Sequence, residues 1–253
     1  MPDYQWRHLA LALAALAFVI GLATFVGGVA AQNYDLWSGV ETPGAWAPGE
    51  LDAMGTTRLA VFLLAFQFAA LAGTAAAIGA FRRPGVSLAP FAMPEQGFAM
   101  IAGHALALVS LAALYGFAVY VFDSDAIAND VRPFAAMIQS NAWPLLALAA
   151  VVGAPITEEL AFRGFAYGVI AASPAGPRAA AVATAAMWAA LHASYSIYGL
   201  VAIFGIGLYL AWLRQATGSL VPSIVCHGLY NGLIVAVLAL APDGALDAAV
   251  ARI

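Results

Sequence analysis

Residues 154–165 read APITEELAFRGF, which sets Glu158, Glu159 and Arg163 inside an apolar run extending from Ala142 to Ala172. A charged carboxylate at the centre of a bilayer costs about 2.5 to 3.5 kcal/mol on insertion scales, so two adjacent ones need a physical reason. For one of them the reason is local. Glu159 and Arg163 are four residues apart, the spacing at which side chains meet on a helix, and can form an ion pair. Glu158 has no such partner along the chain.

The composition around this run is that of a membrane protein. Of 253 residues, 64% are hydrophobic and 9% are charged, whereas a soluble domain carries about a quarter charged residues. The net charge is -4 and all nine basic residues are arginines scattered along the chain. No basic stripe is present, so no nucleic-acid partner is expected. The single cysteine, Cys226, excludes an internal disulfide framework and a multi-cysteine metal cluster.

Apolar windows long enough to cross a bilayer lie near 8–31, 58–81, 97–122, 142–172, 178–195, 197–214 and 218–240. They predict an all-α, polytopic membrane protein of about seven transmembrane helices. The first window, ending in VAA at 29–31, has some features of a signal peptide, but its length and the spans that follow predict a retained helix. If every span crosses, Arg7, Arg82, Arg83, Arg178 and Arg214 fall on one side, which the positive-inside rule makes cytoplasmic, with the amino terminus inside. Asp35, Glu41, Glu50 and Asp52, then Asp123, Asp125 and Asp130, occupy two loops on the other side. Residues 38–55 read as a turn-rich outer loop, with Trp37 and Trp46 in the interfacial belt.

Later spans add more polar residues. MWAALHASYS places His192 late in the fifth window, and CHGLYNG places His227 and Asn231 four apart on one face of the last. At 1.5 Å per residue, Glu158 lies ~21 Å from the inner end of its span, His192 ~21 Å from Arg178, and His227 ~14 Å from Gly218. Three helices thus bring polar groups to a similar depth, which points to a functional site. His104 has no polar neighbour at helical spacing and is expected to make a helix–helix hydrogen bond. Cys226 and His227 point about 100° apart, a poor geometry for a nucleophile–base pair, and Ser219 reads as a helix cap.

Together EELAFR, WAALH and TGSLVPSIVCHGLYN resemble the motifs of the CAAX prenyl endopeptidase and bacteriocin-processing (CPBP) family of intramembrane proteases. Glu158, Glu159 and Arg163 match the first motif and His227 with Asn231 the third. In the second, Trp188 precedes His192 where phenylalanine is more usual, a departure expected to alter packing more than chemistry. The resemblance divides the chain into N-terminal helices (1–140), a protease-like core (141–240) and a short tail (241–253). It implies an intramembrane endopeptidase in a bacterial or archaeal plasma membrane, acting on a membrane-anchored peptide or protein among membrane lipids. It further implies that the first glutamate and first histidine activate a water, while the second histidine and the asparagine stabilise the oxyanion.

The residues themselves fit these roles. Arg163 is expected to keep Glu159 ionised and leave Glu158 as the general base. His192 then holds the water and helps protonate the leaving amine, and His227 and Asn231 donate to the oxyanion. Two cofactor readings remain: none, or a zinc ion on Glu158, His192 and His227 in a His2Glu set. Two other functions also remain, a proton-coupled transporter and a non-catalytic scaffold or immunity protein. The arginine-rich side, with its short loops near Pro174 and Gly218, is the expected entrance to the site.

Overall fold

A computed structural model describes residues 5–38, 53–84, 86–95, 97–138 and 140–240. Glu41, Trp46, Glu50, Asp52 and the tail 241–253 lie outside the described residues, as do the side chains of Asp35 and Trp37. Eight helices account for nearly all of the described chain: α1 (Trp6–Ser38), α2 (Ala53–Phe81), α3 (Gly97–Phe122), α4 (Ser124–Ile138), α5 (Trp143–Ala171), α6 (Gly176–Ala190), α7 (Ile197–Thr217) and α8 (Val221–Leu240). Six of these, all but α4 and α6, are long and apolar enough to cross a membrane. Large apolar side chains such as Phe18, Phe25, Leu114, Phe117 and Leu229 are exposed on their outer faces. This is what a helix bundle solvated by lipid requires, because lipid satisfies apolar surface but no backbone polar group. The chain is a polytopic helical membrane protein.

Two elements depart from the hydropathy windows. The acidic segment after α3, expected as a loop, is the amphipathic helix α4. Asp123 starts it by accepting the Ala126 N–H at 3.0 Å, as a capping carboxylate does. Its apolar positions Val131, Phe134, Ala135 and Ile138 pack on Ile234, Val235 and Leu238 of α8. Such a helix is too polar on its other face to register as a span. The fifth window is also shorter than expected, because α6 stops after 15 residues at Ala190, a rise of about 22 Å.

A side chain ends α6. In a continuing helix the Trp188 carbonyl would accept the N–H of residue 192. Instead that N–H turns back to the Ala189 carbonyl at 2.9 Å, and the imidazole Nδ1 of His192 takes the Trp188 oxygen, also at 2.9 Å. Residues 191–196 then form a tight turn, which Asp130 of α4 fastens by accepting both the N–H and the hydroxyl of Ser196 at 2.6 Å. At the opposite end of the bundle Arg214 donates to the Ser87 carbonyl at 3.2 Å, and the Leu220 N–H to the Pro90 carbonyl at 2.7 Å. The loop after Arg82 and Arg83 is thereby joined to the α7–α8 turn, where Gly218 caps α7 at φ 66°.

Helix α5 runs through the middle. Every residue from Glu159 to Ile170 is buried, with α2, α6 and α8 packed around it. The protein therefore surrounds the stretch that hydropathy makes least comfortable in lipid. His104 makes the interhelical bond expected of it, to Tyr209 of α7 at 3.0 Å. Ser219 caps α8 by accepting the Val221 N–H at 3.1 Å.

Candidate active site

The site begins with an irregular backbone. Ala149–Gly153 and Glu159–Ala166 are π-helical segments within α5, flanking Ala154–Glu158. In the first, the Ala154 N–H reaches back five residues to the Ala149 carbonyl. The next bond in that register would run from residue 155 to Ala150, but Pro155 has no N–H to give. The Ala150 carbonyl is thus left over, and the Asn231 amide of α8 donates to it at 2.8 Å. Gln67 of α2 donates to the Ala149 carbonyl at 2.9 Å. The irregular backbone has its polar groups supplied by side chains from two neighbouring helices, as burial in a membrane protein demands.

The two glutamates differ sharply in surroundings. Glu159 is fully buried, and its Oε1 accepts from Arg163 Nη1 at 2.9 Å and from His227 Nδ1 at 3.1 Å. Arg163, also fully buried, donates through Nη2 to the Gly207 carbonyl at 3.2 Å and lays its guanidinium 4.5 Å from the centre of the Trp188 ring. A Cβ at Gly207 would sit 3.0 Å from that of Ala185 and 3.2 Å from Arg163 Nη2, so the glycine lets α6, α7 and the guanidinium approach closely without displacing a neighbour. The Glu158 side chain is 25% exposed. Its Oε2 accepts the indole N–H of Trp188 at 2.6 Å and lies 4.0 Å from His227 Nε2.

Carbonyls and carboxylates only accept, which fixes the proton positions on both histidines. His192 carries a proton on Nδ1, pointed at the Trp188 carbonyl, and in its neutral form presents Nε2 as an acceptor. His227 carries one on Nδ1, pointed at Glu159, so its Nε2 donates only as the imidazolium. The Trp188 ring stands between the two, 5.3 Å from each imidazole.

Glu158, His192, His227 and Asn231 all line one cavity of about 530 Å³, whereas Glu159 and Arg163 do not. Its remaining walls are mostly apolar, among them Leu63, Phe66, Val119, Phe134 and Ile203. They come from the halves of the helices that lead to α4 and the α6–α7 turn, with Asp130, Tyr195 and Tyr198 at that end. None of Arg82, Arg83, Arg178 or Arg214 takes part in the lining. The cavity thus lies toward the acidic side and away from the arginine side on which the entrance was expected. The turn at Gly218 is tied to the loop after α2 by the contact of Arg214 with Ser87.

The zinc reading fares poorly on donor geometry. Among the described residues no three His, Cys, Asp or Glu side chains are grouped so as to hold a metal ion. The Nδ1 bonds of His192 and His227 to protein oxygens would leave each Nε2 able to ligate, but the Glu158 oxygen nearest His227 is taken by the indole N–H. Glu158, His192 and His227 share a cavity, but as placed they do not form a His2Glu ligand set.

Residues 140–233, from α5 to the middle of α8, match the model of the Rce1-like family, described as type II CAAX prenyl endopeptidase Rce1-like. The chain is similar to that family over this segment. The segment contains Glu158, His192, His227 and Asn231 of the cavity wall and the buried pair Glu159 and Arg163 behind them. No curated protein and no solved structure matches the chain. The similarity to a CAAX prenyl endopeptidase family is confined to this segment.

Two contributors to the site have contacts that the sequence did not signal. Trp188 was expected to alter packing, yet it bonds directly to Glu158; an indole N–H that reaches another helix has no signature in spacing. Tyr195 lies in the turn between α6 and α7 and lines the cavity. Burial first, then Tyr230, Asp130 and Glu158 nearby, pushes its hydroxyl far above the usual phenol range, so it remains a neutral donor.

Two outcomes follow from this geometry. Glu159→Gln leaves Arg163 buried without a counter-charge and is expected to cost about 3 to 5 kcal/mol in thermal or denaturant unfolding in detergent. The double change Glu159→Gln with Arg163→Met should recover stability relative to either single change, and a double variant no better than both singles would refute the pair's role. Separately, a cysteine replacing Ala202 in the cavity is expected to react with an impermeant maleimide from the same face as one at Asp125. Reaction from the face that labels a cysteine at Arg178 would restore the entrance predicted by charge alone.

Proposed function

We propose that the protein hydrolyses a peptide bond in a membrane-associated protein or peptide, with Glu158 as general base. The observation that carries this reading is the separation of the two carboxylates. Glu159 is consumed by Arg163 and His227 inside the bundle, while Glu158 faces the cavity alongside His192, His227 and Asn231. A carboxylate with one oxygen held and access to a cavity can accept a proton from water; one locked in an ion pair cannot do so without breaking it.

In this scheme Glu158 takes a proton from the water as its oxygen attacks the scissile carbonyl carbon. His192 Nε2 accepts a hydrogen bond from the same water, and its Nδ1 bond to the Trp188 carbonyl sets that tautomer. The tetrahedral oxyanion is met by His227 Nε2–H, in the imidazolium form backed by Glu159, and by the Asn231 amide. One N–H of that amide is committed to the Ala150 carbonyl and the other is available. The proton on Glu158 then passes to the departing amine, directly or through His192, and the base is regenerated.

The mostly apolar walls suit a substrate segment that already lies in the membrane, and the entrance beside α4 admits it from the acidic side. With the arginine side cytoplasmic, that is the outer face of a bacterial or archaeal plasma membrane. The cavity lining stops short of the arginine end, which favours a hydrolytic site over a transport path.

Glu158→Gln keeps the size of the side chain and removes the base. It is expected to abolish cleavage while leaving the unfolding temperature close to wild type; comparison of membrane peptides from cells carrying each form should reveal the product that disappears. Unchanged cleavage in that variant would refute the assignment. Purified protein is expected to keep its activity after exhaustive chelation. Loss of activity restored by stoichiometric zinc would place Glu158, His192 and His227 in a ligand role instead.

A further inference from the structure

We propose that Trp188 is a positioning residue for Glu158, its indole N–H fixing one carboxylate oxygen so that the other is presented to the water. The proposal rests on the reading of Glu158 as the general base. It starts from the 2.6 Å bond between Trp188 Nε1 and Glu158 Oε2, which joins α6 to α5 across the bundle. An indole has a single donor and no acceptor, so this is the one hydrogen bond it can make.

The ring that makes the bond is held from several directions. It is buried, with the Arg163 guanidinium over its face and the imidazoles of His192 and His227 edge-on to it. Its backbone carbonyl is in turn the acceptor for His192 Nδ1. One residue therefore fixes the rotamer of the base through its side chain and the tautomer of the neighbouring histidine through its main chain. A glutamate has three rotatable bonds, and a 25% exposed carboxylate beside a cavity would otherwise sample several orientations. Holding one oxygen lowers that freedom before substrate arrives, which is where positioning contributes to rate.

Phenylalanine at 188 can keep an aromatic ring between the histidines but cannot donate. The chemistry thus separates the two roles of the side chain. Trp188→Phe is expected to lower kcat by about tenfold to hundredfold with KM within about twofold, because the ground-state cavity is kept and the base is loosened. A purely structural role would instead lower stability and raise KM together, and a kcat equal to wild type would overturn the proposal.

The bond itself is read independently of activity by NMR of 15N-tryptophan-labelled protein. Of the six indole signals, the one at low field from a carboxylate-bound N–H is expected to move upfield in Glu158→Gln while the other five stay in place. No movement in any of the six would overturn the proposal, and this comparison stands even if Trp188→Phe fails to fold. Wild-type protein that shows the shifted signal yet cleaves no peptide would sink the proposed hydrolysis while leaving the Trp188–Glu158 bond established.

Discussion

The structure depends on keeping an arginine ionised at the centre of a helix bundle. Arg163 and Glu159 are both fully buried, and either charge alone would cost several kcal/mol in that environment. Their partnership dictates the neighbours. Gly207 brings its carbonyl to the guanidinium at a close helix approach, Trp188 offers an aromatic face, and His227 turns Nδ1 toward the shared carboxylate oxygen. Helices α5, α6, α7 and α8 are held in register by groups that converge on this one pair.

That convergence sets the site. Because His227 is fixed at Nδ1 by Glu159, its Nε2 is aimed toward Glu158, 4.0 Å away. Because Trp188 lies under Arg163, its indole N–H reaches the same carboxylate. The charged pair takes no part in lining the cavity, yet it orients two of the residues that do. A buried ion pair adds little net stability compared with a well-packed apolar core; here it organises the groups around the neighbouring carboxylate that faces the cavity.

The backbone of α5 supplies the second constraint. Two π-helical segments and a proline free carbonyls that lipid cannot satisfy, and Asn231 and Gln67 take them up. Such irregular turns are tolerated at membrane depth only inside protein, which explains why the span that carries two glutamates and an arginine is also the most enclosed of the six. Asn231 thereby acquires a structural bond alongside the role proposed for it, so its replacement will disturb α5 as well as the cavity.

The sequence by itself determined the helical membrane architecture and the residues that meet, because both are local properties. Hydropathy over about 20 residues reports a span, and a four-residue interval reports a shared helix face. It paired Glu159 with Arg163 and set His227 beside Asn231 for the same reason. Only the tertiary structure decided that α6 stops at Ala190, that the polar segment after α3 is a helix, that Trp188 bonds Glu158, and that the cavity faces the acidic end. Each of these depends on contacts between segments far apart in the chain: Asp130 with Ser196, Ile234 with Phe134, an indole with a carboxylate 30 residues away. Wider π turns in α5 also change the angle between successive side chains, so which glutamate faces the cavity follows from packing around the helix and not from its periodicity.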